Sequence, residues 1–165
     1  MNNHYVNEEE VALIKEVGEK LIKNKMLAGT AESCTGGRIA SMITSIPKSS
    51  DHFVGGIISY SEEIKKEILK VPVKDIDEYG AVSQIVVEKM AKGATYVLGC
   101  DCVVATSGIA GPDGGSQDKP VGTVWIATVV KGNILSKCFY FEGDRQEIVQ
   151  QSSHEGLRML SRMLP

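Results

Sequence analysis

Three short apolar runs, Leu27 to Ala31, Phe53 to Tyr60 and Cys102 to Thr106, each end in a polar or glycine-rich turn. This pattern limits the fold more than any other feature, because amphipathic stripes with helical spacing stand before and between the runs. The first is Glu8 to Asn24, with Leu13, Val17 and Leu21 on one stripe beside Ile14 and three glutamates at its positive end. Ile39 to Ile43 and Glu62 to about Leu69 are shorter helical segments. Ser83 is placed to cap a longer one that carries Val86, Met90, Ala94 and Val97. Pro72 and the acidic stretch Lys74 to Gly80 read as a connection.

Past the third run the pattern changes. Thr123 to Val130 and Ile134 to Phe141 flank Lys131-Gly132-Asn133, which reads as an antiparallel hairpin. Asp144 and Glu147 form a capping box for a closing helix with the stripe Val149, Ser153, Leu157, Leu160 and Leu164. Strands alternating with helices, then a hairpin and a helix, predict a three-layer α/β/α fold. Its sheet is mixed, mostly parallel, of about five strands including the carboxy-terminal antiparallel hairpin. The 165 residues form a single domain, 1–165. Strand order is not legible at this level.

Composition narrows the class. Hydrophobic residues make up 42% and aromatics only 5%, so packing rests on Val, Ile, Leu and Ala. The net charge of −3 lacks the basic surplus that a phosphate backbone demands, which argues against nucleic acid as a partner. The longest strongly apolar stretch, Val121 to Val130, is far shorter than the roughly 20 residues of a membrane span. A cytoplasmic protein with no membrane partner is the default expectation, and a homo-oligomer, preferably a dimer, the commonest state for a small enzyme. Cys34, Cys100, Cys102 and Cys138 include no C-x-x-C and have no neighbouring histidine, so buried thiols are expected and a metal site is not.

Ligands of such sheets sit beyond the carboxyl ends of the strands, where the turns Ser33 to Gly37, Tyr60 to Lys65 and Thr106 to Ser116 would meet. No two glycines are separated by a single residue and no Gly-Lys-Ser/Thr occurs, which removes the Rossmann and P-loop readings. His4, His52 and His154 are the only histidines, so a Ser-His-Asp triad has few candidates. A lysine held neutral by burial can replace histidine as base, and Ser33 and Lys65 suit a nucleophile and base. Each residue also has a plainer reading. Ser33 or Thr35 can cap the following helix, Lys65 can be one of several solvated lysines, and Tyr60 can be an ordinary strand aromatic. The glycine loop can be a plain turn. Cys34 is a second candidate nucleophile, without a histidine partner.

Four motifs in this order resemble the CinA carboxy-terminal domain family. They are Thr30-Ala31-Glu32-Ser33-Cys34-Thr35-Gly36-Gly37, then Tyr60-Ser61 with Lys65 five residues past the tyrosine, then Ser107 to Gly115, and finally Lys119 to Trp125 with Gly143-Asp144-Arg145. The resemblance implies hydrolysis of the carboxamide of nicotinamide mononucleotide to nicotinate mononucleotide and ammonia, with no cofactor or metal, in pyridine nucleotide recycling. It implies Ser33 as nucleophile, Lys65 as base and Tyr60 assisting. Thr106 and Arg145 are linked with the site, and Thr35, Gly36, Gly37, Gly108 and Gly111 are candidate substrate-binding residues beside them. Backbone N–H groups of the Cys34 to Gly37 segment, where the second helix begins, are expected to receive the oxyanion. Some relatives carry a further amino-terminal domain linked to pyrophosphatase activity, for which this length leaves no room, so that activity is expected to be absent. The alternative is a non-catalytic nucleotide-binding or regulatory module of competence or damage-response type.

Overall fold

The computed structural model describes residues 6–165, and His4 lies outside them. The elements, in chain order, are α1 (Glu8–Lys23), β1 (Ala28–Glu32), α2 (Arg38–Thr44), a 3-10 turn (Ser49–Asp51) and β2 (Phe53–Ile58). They continue with α3 (Glu62–Glu67), α4 (Val73–Tyr79), α5 (Gln84–Leu98), β3 (Cys102–Gly108), β4 (Thr123–Val130), β5 (Asn133–Tyr140) and α6 (Arg145–Met163). The five strands form one sheet in the order β2-β1-β3-β4-β5. β1 pairs in parallel with β2 and β3, and the last two pairings are antiparallel. Four strands therefore share one direction and β4 runs against them, as the mixed, mostly parallel pattern predicts.

Two cores make the three layers. On one face Ile14, Val17 and Leu21 of α1, Ile39 and Met42 of α2 and Leu157 and Leu160 of α6 close over Val104, Val124 and Ile126 of the sheet. On the other face Val86, Val87, Met90, Ala91 and Ala94 of α5 pack on Val103, Ala105, Ala127 and Val129. The alternation of Val103, Val104 and Ala105 between the two cores is the two-residue period of a strand covered on both sides. Edge strand β2 alternates between half-buried and exposed residues.

Several local expectations are realised by their stated chemistry. The Asp144 carboxylate accepts from Glu147 N–H and the Glu147 carboxylate from Asp144 N–H, closing the capping box of α6. Ser83 caps α5 through Val86 N–H. The hairpin turns at Lys131 and Gly132, with φ of 46° and 82°, the two positive angles that a tight two-residue connection with right-handed strand twist requires. Two expectations are corrected. Residues 73–79 form α4 rather than a connection, because Pro72 supplies an extended N-cap and Ile76 anchors one turn into the α5 core. Val97 lies 45% exposed, because the buried face of α5 runs through Val87 and Ala91 and ends at Ala94.

Candidate active site

The parallel pairing places Glu32 beside both Ile58 and Thr106, so the carboxyl ends of β1, β2 and β3 come out abreast. β5 ends at the same edge and delivers the chain to Asp144, where α6 begins. A cleft of about 340 Å³ opens there, lined by Ser33, Cys34, Tyr60, Glu62, Lys65, Ala81, Val82, Ser107 to Gly111, Asp113, Gly114 and Arg145.

Lys65 enters this cleft from the second turn's own helix. Ser61 sits in extended backbone and its hydroxyl accepts from Ile64 N–H, capping α3 and turning Lys65 inward. Lys65 is 2% exposed, with Nζ 2.9 Å from Ser33 Oγ, 2.6 Å from the Ser59 carbonyl and 3.3 Å from the Tyr60 carbonyl. No carboxylate among the described residues forms an ion pair with it. Burial lowers its pKa below that of an ordinary lysine, against the opposing charges of Cys34 and Glu62. A neutral Lys65 keeps both carbonyls on its two N–H groups and turns its lone pair to the Ser33 hydroxyl.

Ser33 stands in the turn between β1 and α2, its N–H donated to the Thr106 carbonyl and its carbonyl accepting from Gly36 N–H. Neither Ser33 nor Thr35 caps α2. The N-cap is Gly37 at φ 96° with no side-chain bond, and the cap comes from Glu32, whose carboxylate accepts from Gly37, Ile39 and Ala40 N–H. Of the expected oxyanion donors, the Gly36 N–H is bonded to the Ser33 carbonyl and the Gly37 N–H to Glu32. The N–H groups of Cys34 and Thr35, earlier in the turn, make no bond to any other described residue.

Cys34 is the neighbour of Ser33 with the opposite character. Burial pushes its thiol up to about 12, with a hydrogen bond to Thr106 acting the other way. A buried, protonated thiol is a poor nucleophile. Cys34 and Cys102 are buried and Cys100 and Cys138 half-buried, all free thiols.

Arg145, in the first turn of α6, spans the mouth of the cleft. Its Nη1 donates to the Gly111 carbonyl at 2.6 Å and its Nη2 to the Tyr60 hydroxyl at 3.0 Å. One side chain thereby joins the second turn, the glycine loop and the start of the last helix. In that loop the N–H groups of Ala110, Gly111, Asp113 and Gly114 make no bond to another described residue.

Of the residues singled out from sequence, Ser33, Tyr60, Lys65, Gly108, Gly111 and Arg145 meet on the cleft wall. Thr35 and Thr106 lie behind it, buried and bonded to each other at 2.8 Å, with Thr35 also donating to Glu32. Gly36 and Gly37 are outside the lining, where their positive φ values of 57° and 96° close the turn. Glu62 and Asp113 on the wall, and Glu32 behind it, were not marked by sequence reasoning. Glu62 lies between the two motif residues Ser61 and Lys65, a position that could have flagged it.

A small α/β domain with a serine and a buried lysine in contact at the strand ends defines the class. The chain belongs to the CinA family, since the family's CinA C-terminal domain model matches residues 10–164. A CinA-like protein of Thermosipho melanesiensis is 44% identical over 153 residues, which are 92% of this chain and 38% of that protein. The chain spans between 35 and 40% of the length of the curated relatives it matches. Among solved structures, a competence/damage inducible protein from Agrobacterium tumefaciens is 36% identical with a TM-score of 0.90, covering 93% of this chain and 94% of that one. A competence or damage-inducible protein from Enterobacter asburiae has a TM-score of 0.92 at 31% identity, covering 96% and 100% respectively. No helix among the described residues is long and apolar enough to cross a membrane.

Proposed function

We propose that this domain is an amidohydrolase that converts nicotinamide mononucleotide and water to nicotinate mononucleotide and ammonia by a serine-lysine mechanism. The observation that carries the reading is the 2.9 Å contact between Ser33 Oγ and the buried Lys65 Nζ, which two carbonyls hold and with which no carboxylate among the described residues pairs. A lysine buried this way is costly as an ammonium and useful as a base.

The steps follow from that geometry. Neutral Lys65 takes the Ser33 proton as Oγ bonds to the carboxamide carbon, and the unbonded N–H groups of Cys34 and Thr35 are the donors that turn leaves for the resulting oxyanion. The lysine then gives the proton to the amide nitrogen, the carbon–nitrogen bond breaks and ammonia leaves. Water attacks the ester, its proton passing through Lys65 back to Ser33 Oγ, and the carboxylate departs.

The substrate's charges fit the wall. The unbonded N–H groups of the glycine loop and the remaining guanidinium donors of Arg145 suit the phosphate. Glu62 and Asp113 lie on the same wall and suit the cationic pyridinium ring. Ammonia release, measured with nicotinamide, its riboside and its mononucleotide, tests the reading. The mononucleotide is the expected substrate, and absence of ammonia from all three contradicts it.

A further inference from the structure

We infer that Glu32 is a positioning residue for the nucleophile, holding Ser33 in line with Lys65 through a buried carboxylate that never touches the substrate. The role rests on the serine-lysine reaction proposed above and extends it to a residue behind the cleft wall.

Glu32 is fully buried and pairs with no cation among the described residues, a costly state for a carboxylate unless its oxygens are fully bonded. They are. Oε1 accepts from Ala40 N–H at 2.8 Å, and Oε2 accepts from Gly37 N–H at 3.0 Å, Ile39 N–H at 3.1 Å and the Thr35 hydroxyl at 2.7 Å. The three N–H groups belong to the start of α2, where four donors ordinarily lack partners and a negative charge is favoured. Glu32 therefore clamps the far end of the turn whose near end is Ser33, its own chain neighbour.

The clamp is directional. The Thr35 hydroxyl donates its proton to Glu32 Oε2 at 2.7 Å. The Thr106 hydroxyl must then donate to Thr35 Oγ, at 2.8 Å. That pair, buried behind the cleft wall, joins the Ser33 turn to β3. The hydroxyls thus run from Thr106 through Thr35 to Glu32. Glu32 also reaches the other partner, since its carbonyl accepts from Ser59 N–H at 2.8 Å and the Ser59 carbonyl accepts from Lys65. One residue thus fixes the serine by its side chain and the lysine's anchor by its backbone.

The test compares wild type with Glu32→Gln and Glu32→Asp, each confirmed as folded by circular dichroism at the assay temperature. Two rates are read: ammonia release from nicotinamide mononucleotide, and labelling of Ser33 by a fluorophosphonate. In the labelling, Oγ displaces fluoride from phosphorus and its proton passes to Lys65. Glutamine presents one acceptor oxygen and turns an NH₂ group at the helix N–H groups. Its kcat and labelling rate should fall by about tenfold or more with KM within about twofold, the pattern of a misplaced nucleophile. Aspartate, which keeps the carboxylate, should recover part of both. Glu32→Gln with wild-type kcat and labelling overturns the inference, as does a loss confined to KM. If Glu32→Gln does not fold, Thr35→Val decides: a fall in both rates at constant KM supports the chain, and unchanged rates overturn it. Wild type that is labelled at Ser33 but releases no ammonia overturns the amidohydrolase reading alone, and the labelling rates still judge Glu32. Wild type that is not labelled at Ser33 overturns the inference.

Discussion

Lys65 Nζ and Ser33 Oγ, 32 residues apart in the chain, meet at 2.9 Å because parallel pairing sets the ends of β1 and β2 side by side. Ser61 then turns α3 back over the serine. In the proposed reaction this contact joins nucleophile and base and makes the protonation of one lysine the control on activity.

Activity should therefore rise with pH. Lys65 must be neutral to act, and burial lowers its pKa from the ordinary lysine value of 10.5. The acid limb of the kcat profile should have unit slope and lie below 10.5. Glu62 opposes the shift by favouring the ammonium, so Glu62→Gln should move that limb further towards acid. The same group links to stability. Between the folded and unfolded pKa values the unfolded chain binds more protons, so Lys65 makes stability increase with pH through that window. Steady-state profiles of both proteins decide it, and an acid limb that shifts upward in Glu62→Gln contradicts the assignment.

Cys34 should be dispensable as a nucleophile. With its thiol pushed up to about 12, almost none is thiolate at neutral pH. Cys34→Ala should keep kcat within about fivefold of wild type, whereas Ser33→Ala loses about a thousandfold or more. The reverse order, measured in the same ammonia assay, would place the nucleophile on sulfur.

Arg145 joins the Gly111 carbonyl to the Tyr60 hydroxyl, and an ammonium cannot span both with the planar fork of a guanidinium. Arg145→Lys should raise KM for the mononucleotide by about tenfold while changing KM for the riboside, which lacks the phosphate, much less. Equal effects on the two substrates would remove Arg145 from phosphate recognition.

Gly93 is a structural test remote from the chemistry. It lies inside α5, where alanine is ordinarily better by about 1 kcal/mol. A Cβ there would meet the Leu69 carbonyl, which is backbone and does not swing away. Overpacking costs of about 1–3 kcal/mol outweigh the helix gain, so Gly93→Ala should lower the denaturant midpoint. A raised midpoint would mean that the segment carrying Leu69 yields freely.

The sequence made visible those features whose chemistry is local. Asp144 and Glu147 lie three residues apart and close a capping box; the Ser83 cap and the Lys131-Gly132 turn are similarly short-range. Glu32 was hidden because its partners begin three residues later and end eight residues later, across a turn whose N-cap is a glycine with no side chain to signal it. Thr35 and Thr106 suggested contact with substrate, yet their hydroxyls face each other behind the wall, a pairing that only the β1–β3 register creates. α4 was hidden because Ile76 is the only buried apolar side chain in its seven residues, too few to show a helical period.

The central claim, that Ser33 and Lys65 together hydrolyse a nucleotide carboxamide, is tested most directly by ammonia release from nicotinamide mononucleotide by wild type, Ser33→Ala and Lys65→Met. The account predicts release by wild type, with or without a chelator, and a loss of about a thousandfold or more in each variant. Wild-type protein that binds the mononucleotide but frees no ammonia, or either variant at full rate, would contradict it.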